Sequence, residues 1–184
     1  MRFRLVYEGL LLGQNSKADH KWHIRKVLHP QLRELWEHEP LLSSRNFLLA
    51  EPAHPNKANN YRKRGEIAFV PLVTEALKLN AWISVLLFRH KPRGHLIGPT
   101  GDADNQLKTL IDALRMPTSS QKIDKAILPE LPSPFFCLLE DDALVTKVSL
   151  ETEHWLTPTS PENTLAIIEV TINKTFTTFD NLAF

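Results

Sequence analysis

The sequence predicts an α+β domain in which a mixed β-sheet packs against helices. Three observations predict it: stretches rich in β-branched and aromatic residues, stretches with apolar residues at helical spacing, and no regular alternation between the two. At 184 residues the chain is long enough for one domain with its own core, and it carries no internal repeat. We therefore expect a single domain over residues 1–184.

The first part of the chain predicts a strand, a broken helix and a loop. The strand is predicted at FRLVYEGLLL, which ends before Gly13. From His20 to Trp36 the apolar residues follow helical spacing, and Pro30 predicts a break that divides this region into two helical pieces. The polar segment from Ser43 to Arg64 contains two prolines, so we expect a loop there.

The second part predicts a sheet with one helix. Strands are predicted at EIAFVPLV and at LNAWISVLLFRH, and the latter is apolar enough to lie centrally. The helix begins near Asn105, and its apolar residues form one stripe at i, i+3, i+4 and i+7: Leu107, Leu110, Ile111 and Leu114. We expect this stripe to pack on the sheet. Residues 115–139 contain four prolines and predict a long inserted connection, and the last two strands are predicted at EDDALVTKVSLETE and LAIIEVTI.

Composition and charge restrict the function classes. No apolar run reaches the roughly 18 residues of a membrane helix, and the start of the chain lacks a signal-cleavage pattern, so we expect a soluble cytoplasmic protein without a membrane partner. The single cysteine, Cys137, excludes an internal disulfide. Residues 1–95 carry 16 basic and 8 acidic side chains, whereas residues 96–184 carry 6 and 13. A basic half can bind a polyanion and an acidic half can supply metal ligands, although a solvated surface explains the same pattern.

The segment GDADNQLK opens the predicted helix with an unusual set of polar residues. On extended backbone, Asp102 and Asp104 point to one face. Close carboxylates repel each other unless a cation lies between them, and Mg²⁺ or Mn²⁺ prefers such oxygen ligands. Helix capping by Asp104 or Asn105 explains one of these residues but not both aspartates. Lys108 can form an ion pair with Asp104 along the helix, and Asp112 is interpreted as a solvated partner of Lys108.

A second acidic group precedes a predicted strand. Glu140, Asp141 and Asp142 are an unusual set of residues for a half-buried element. If this strand end lies beside Asp102 and Asp104, three or more carboxylates converge and can hold one or two divalent ions. Such ions activate a water molecule and stabilise the charge that develops on phosphate oxygens.

Two other metal sites are excluded by the sequence. An EF-hand loop begun at Asp102 requires Gly at its sixth position and Glu at its twelfth, but Leu107 and Ala113 stand there. A zinc site at His20 and His23 has only a loose pair of histidines and no cysteine ligand.

The two acidic motifs together resemble those of the RusA family of Holliday junction endonucleases. The family pattern is Asp-x-Asp-Asn-x-x-Lys at the start of a helix, followed by Asp-Asp-x-x-Val at the start of a strand. This sequence has DADNQLK from Asp102 and DDALV from Asp141. The similarity is concentrated in residues 102–147, and the sequence departs from the family in its long connection at 115–139 and in the apolar LIGPTG before Asp102.

The resemblance implies a small α+β homodimer that uses Mg²⁺, or Mn²⁺, to cut branched DNA in recombination and repair. It implies that Asp102, Asp104 and Asp142 are metal-binding catalytic acids, that Lys108 assists at the phosphate, and that Asp141 supports the metal site. We expect the following basic residues to contact DNA phosphates: Lys57, Arg62, Lys63, Arg64, Arg89, Lys91 and Arg93. A non-catalytic DNA-binding or partner-binding protein on the same fold, and a metal-dependent enzyme acting on free nucleotides, are the alternatives.

Overall fold

The computed structural model describes residues 1–13, 18–51, 58–90, 103–118 and 132–184. Its helices and strands are, in chain order, β1 (Arg2–Leu10), α1 (Ala18–Glu34), α2 (Leu41–Leu48), β2 (Arg62–Arg64), β3 (Ile67–Val73), β4 (Leu79–Arg89), α3 (Ala103–Leu114), β5 (Phe135–Leu139), β6 (Val145–His154) and β7 (Asn163–Lys174). Mixed sheets and three helices confirm the predicted α+β class. Within the residues described, no helix is both long and apolar enough to cross a membrane.

The larger sheet has four strands in the order β1-β7-β4-β6. β7 runs antiparallel to both β1 and β4, and β6 runs parallel to β4. Alternate residues of β4 and β7 are buried, because one face of the sheet packs on the core while the other faces solvent. All five strands predicted from the sequence are present, and β4 is central as expected.

The smaller sheet contains two strands that the sequence did not predict, β2 and β5. Its order is β2-β3-β5, with β2 antiparallel and β5 parallel to β3. β5 lies within residues 115–139, where a long irregular connection was expected, and residues 119–131 of that connection lie outside the described part of the chain. Every residue of β5 is buried, so the strand is stabilised by core packing on both of its faces.

Two further expectations for the first half are wrong. α1 continues without a break through Pro30, because Pro30 lies on the exposed face while Ile24, Leu28 and Leu32 anchor the helix in the core. The segment predicted as a loop from Ser43 to Arg64 contains most of α2 as well as β2, and α2 is anchored by buried leucines at both ends. Tertiary packing overrides the weak local preference for helix in both places.

α3 is held against α1 and the loop after β1, and this packing sets the orientation of its polar face. The Gln106 amide donates to the Leu11 carbonyl at 2.8 Å, and the Thr109 hydroxyl donates to the Gly13 carbonyl at 3.1 Å. The predicted stripe is only partly correct, because Leu110 and Leu114 are buried whereas Leu107 and Ile111 are half-buried. The buried face is rotated toward Gln106, Thr109 and Ala113, where α1 packs.

The end of α3 is fixed by a buried arginine of α1. Arg25 is 2% exposed, and it donates to the backbone carbonyls of Asp112 at 2.6 Å and Arg115 at 3.3 Å. A guanidinium at this position satisfies helix-terminal carbonyls and interacts favourably with the negative end of the helix dipole. Burial lowers the pKa of Arg25 to about 10, so the side chain still carries its charge at neutral pH.

Candidate active site

α3 and the start of β6 line an open cleft of about 570 Å³. Its apolar lining comes from both elements and consists of Leu107, Ile111, Ala143, Val145 and Val148. Its charged lining consists of Asp104, Lys108, Asp112 and Asp142. Leu107 and Ile111 are the two stripe residues that are left half-buried, so this part of the predicted helix face lines the cleft instead of packing on the sheet.

The cleft brings together residues from the two acidic motifs. Asp104 and Lys108 are exposed and lie one turn apart on α3, with Asp104 in the first turn of the helix. Asp142 opens the short 3₁₀ turn that leads into β6, and its side chain is 44% exposed. Asp102 lies outside the described residues. Three of the four residues predicted to be catalytic therefore line the same cavity.

The local backbone positions Asp142 through its neighbour. Asp141 is the N-cap of the 3₁₀ turn, and its Oδ1 accepts a hydrogen bond from the Ala143 amide at 2.9 Å. This hydrogen bond is the main reason that the pKa of Asp141 is lowered, and contact with Asp142 and attraction by Arg115 and Arg64 lower it further. Asp141 is therefore a carboxylate at neutral pH, directly beside a second acid.

An ion-pair network connects Asp142 to α3 and α1. Arg115 Nη1 lies 3.1 Å from Asp142 Oδ1, and Arg115 Nη2 lies 3.6 Å from Asp112 Oδ1. Asp112 Oδ2 in turn accepts from Lys21 Nζ at 2.5 Å. The interpretation of Asp112 as a solvated partner of Lys108 is wrong, because α1 packs on this side of α3 and supplies Lys21 to a carboxylate that is only 16% exposed.

The acids of the two motifs enter the cleft from different elements, and α3 and Arg115 relate their positions. Asp104 and Asp112 are eight residues apart on α3, which corresponds to about 12 Å along the helix axis. Asp104 lies in the first turn of α3, whereas the carboxylate of Asp142 is contacted by Arg115, which also contacts Asp112. Within the described ranges, no three His, Cys, Asp or Glu side chains form a group that could hold a metal ion.

Carboxylate oxygens are nevertheless the donors that Mg²⁺ and Mn²⁺ prefer, and the solvent-accessible Asp104 and Asp142 fit that chemistry. The predicted site shared by Asp102, Asp104 and Asp142 stays a prediction, since it depends on Asp102.

The basic residues expected to contact DNA occupy different environments. Arg62 binds Glu140 through Nε at 2.5 Å and Nη2 at 3.2 Å, and its Nη1 donates to the carbonyls of Asn59 and Tyr61, so its donors are already used by the protein. Lys63 and Arg64 are exposed. The positive charge of Arg64 contributes to lowering the pKa of Asp141.

Arg89 lies away from the cleft. β4 and β6 are parallel, Arg89 ends β4, and Asp142 precedes β6, so the two residues lie at opposite ends of the sheet. Arg89 lines a separate cavity with His90 and Gln106. The remaining expected DNA contacts, Lys57, Lys91 and Arg93, lie outside the described residues.

Sequence reasoning did not identify Arg115, Lys21 or the structural role of Asp112. The sequence did contain one local signal, because Asp112 and Arg115 are three residues apart on a helix and can pair. Lys21 comes from a separate helix 91 residues earlier, so no local pattern indicates it.

Comparison with protein-family models finds no match, and comparison with curated proteins finds none either. The cleft and its charges therefore carry the functional proposal.

Proposed function

We propose that this chain is a Mg²⁺-dependent endodeoxyribonuclease that cuts phosphodiester bonds in branched DNA such as Holliday junctions. The observation that carries the proposal is the cleft itself: Asp104 and Lys108 from the first motif and Asp142 from the second line one cavity. Carboxylates that can hold a divalent ion, next to a cation that can neutralise a phosphate, are what metal-dependent phosphodiester cleavage requires.

Each side chain has a distinct role in this proposal. Asp104 and Asp142, together with Asp102, are the residues that would hold Mg²⁺ or Mn²⁺, and Asp141 adds negative charge beside Asp142. When bound, the ion supplies a water molecule of lowered pKa and neutralises charge on the phosphate oxygens. Lys108 is exposed on the face of α3 that lines the cleft, so its ammonium group can contact the scissile phosphate.

The surroundings of the cleft support DNA as the substrate. The exposed Lys63 and Arg64 of β2 can contact backbone phosphates, and the charge of Arg64 contributes to lowering the pKa of Asp141. As part of the same proposal, the protein acts as a homodimer on the two strands of a junction, in DNA recombination or repair in the cytoplasm.

The test is cleavage of a labelled four-way junction in the presence of Mg²⁺. Asp104→Asn keeps the size of the side chain but removes its charge, so we expect the cleavage rate to fall by at least about 100-fold while junction binding is retained. Asp19→Asn is the matched control, because Asp19 is also exposed in the first turn of a helix but lies outside the cleft. The proposal is wrong if Asp104→Asn cuts as fast as the unmodified protein.

A non-catalytic DNA-binding protein is the second candidate, and one observation favours it. The carboxylate of Asp142 is already paired with Arg115, at 3.1 Å. This candidate predicts that the unmodified protein binds the four-way junction but cuts it at no concentration of Mg²⁺ or Mn²⁺. The same cleavage assay therefore distinguishes the two functions.

A further inference from the structure

A second cavity, of about 470 Å³, lies between the C-terminal half of α1, α2 and the residues that lead into β5. It is separate from the candidate active site, because it adjoins the start of β5 whereas Asp141 and Asp142 follow the end of that strand. Five residues of strand place these two points roughly 16 Å apart. The polar residues that line this cavity are His29, Arg33, Arg45, Asn46 and Ser133.

His29 lines this cavity, and one backbone hydrogen bond fixes its tautomer. The Phe136 amide donates to His29 Nδ1 at 2.9 Å, so in the neutral ring the proton is on Nε2. The imidazole is 6% exposed and stacks on Phe135 with the ring centroids 4.6 Å apart, which holds its plane in place. Burial and the nearby charge of Arg33 lower the pKa of His29, so the ring is neutral at pH 7.

The charge of the cavity lining is entirely positive. Arg33 follows His29 by four residues on α1, so both side chains lie on the same face of the helix. Arg45 adds a second guanidinium, although its Nη1 also binds Glu37 at 2.5 Å. None of the described residues that line the cavity is acidic. Guanidinium, imidazole N–H and amide groups all donate hydrogen bonds, and this set is complementary to an anion.

The rest of the lining is apolar. Leu49, Pro134 and Phe136 lie beside the donors, and the Phe136 ring adds an aromatic surface. A ligand that fills this cavity therefore carries both an anionic group and a flat or apolar group. The volume falls in the range of cavities that bind small molecules, which runs from roughly 300 to 1,000 Å³.

We propose that this cavity binds a nucleotide unit, with its phosphate on Arg33, Asn46 and His29 Nε2–H and its base against the apolar residues. A phosphate accepts several charge-assisted hydrogen bonds at once, and bases stack on aromatic and apolar side chains. The nucleotide unit can be free or part of a DNA strand. The site does not depend on the proposed nuclease activity, since no residue of the cleft takes part in it.

The first test is titration calorimetry without divalent ions, using inorganic phosphate, thymidine and thymidine 5′-monophosphate as probes. We expect the monophosphate to bind more tightly than either of the other two, because only it engages both the hydrogen-bond donors and the apolar residues. Arg33→Gln should weaken its binding by about tenfold or more, since a charge-assisted hydrogen bond is lost. Arg2→Gln is the matched control, because Arg2 is an exposed arginine on the solvent face of β1, outside the cavity.

Several outcomes overturn the site. These are no binding of the monophosphate, equal binding of thymidine and the monophosphate, or an equal loss of affinity in Arg33→Gln and Arg2→Gln, which indicates attraction by net charge alone. A shift of the His29 imidazole resonances on addition of the monophosphate supports the assigned donor. Competition by a short single-stranded oligonucleotide without a terminal phosphate assigns the site to a DNA strand, and its absence assigns the site to free nucleotides.

Discussion

Asp112 is the carboxylate on which cationic side chains of α1 and α3 converge, and removing its charge tests how the end of α3 is held. Lys21 Nζ lies 2.5 Å from Asp112 Oδ2, and Arg115 Nη2 lies 3.6 Å from Asp112 Oδ1. The negative charge of Asp112 also raises the pKa of the buried Arg25, whereas burial lowers it. Asp112→Asn keeps the shape of the side chain but removes the counter-charge of Lys21 and one of the two carboxylates that Arg115 contacts.

The expected loss of stability follows from burial. Removing one partner of a fully buried ion pair costs about 3 to 5 kcal/mol. The side chains of Lys21, Asp112 and Arg115 are 16 to 17% exposed, so solvent reduces this cost, and we expect a loss of about 2 to 3 kcal/mol in the free energy of unfolding. For a chain of this size the melting temperature should fall by about 4 to 10 °C.

Urea denaturation followed by tryptophan fluorescence measures this change. The control is Glu34→Gln, because Glu34 pairs with His38 but both side chains are more than 60% exposed. That pair should contribute less than about 0.5 kcal/mol. The network does not stabilise α3 if Asp112→Asn loses no more stability than Glu34→Gln.

Three other expected outcomes test separate parts of the fold. The side-chain amide of Gln31 accepts a hydrogen bond from the Val6 N–H at 2.9 Å and donates one to the Val6 carbonyl at 2.7 Å. Gln31→Leu should therefore lower the free energy of unfolding, measured by urea denaturation, by about 1 kcal/mol. It should also increase self-association, measured by light scattering, because the backbone groups at the edge of β1 lose their partner. Burial raises the pKa of Cys137 to about 12, so its thiol should react with Ellman's reagent at about pH 8 only after unfolding; rapid reaction of the folded protein would contradict its burial. Because the pKa of His29 is lowered from 6.5, the unfolded chain binds this proton more readily, and His29 should reduce stability progressively as the pH falls below about 6.5; an NMR titration giving His29 a pKa above 6.5 would refute this.

The strands of the larger sheet could be predicted because their pattern is local. β1, β4 and β7 are rich in β-branched, aromatic and other large apolar residues, and this composition is visible in the sequence without knowledge of the partner strand. The start of α3 could be predicted for a similar reason, since a polar segment changes there to helical spacing.

The elements that were missed depend on packing between distant segments. β5 is a run of five apolar residues preceded by Pro132 and Pro134, so neither alternation nor length marks it, and its partner β3 lies more than sixty residues earlier. α2 contains serine and asparagine, which are weak helix formers, and depends on the burial of Leu41 and Leu48. Pro30 is accommodated because its face of α1 is exposed.

The acidic residues of the candidate site could be predicted from the sequence, but Arg115 and Lys21, which pair with them, could not. The spacing of Asp104 and Lys108, and the acidic pair at Asp141 and Asp142, are local features of the sequence. Arg115 forms an ion pair with Asp142, and Lys21 forms one with Asp112. Both pairs depend on the packing of α1 on α3 and on the position of β5, which a single sequence does not reveal.

The central claim is that Asp104 and Asp142 belong to one metal-binding cleft, and Mn²⁺ binding measured by titration calorimetry tests it most directly. We expect the unmodified protein to bind Mn²⁺, and Asp104→Asn and Asp142→Asn each to weaken that binding by at least about tenfold, because each removes a charged oxygen ligand. Asp19→Asn should bind as the unmodified protein does. If both cleft variants retain full affinity, or if the unmodified protein binds no Mn²⁺, the cleft is not a metal site and the proposed nuclease mechanism is wrong.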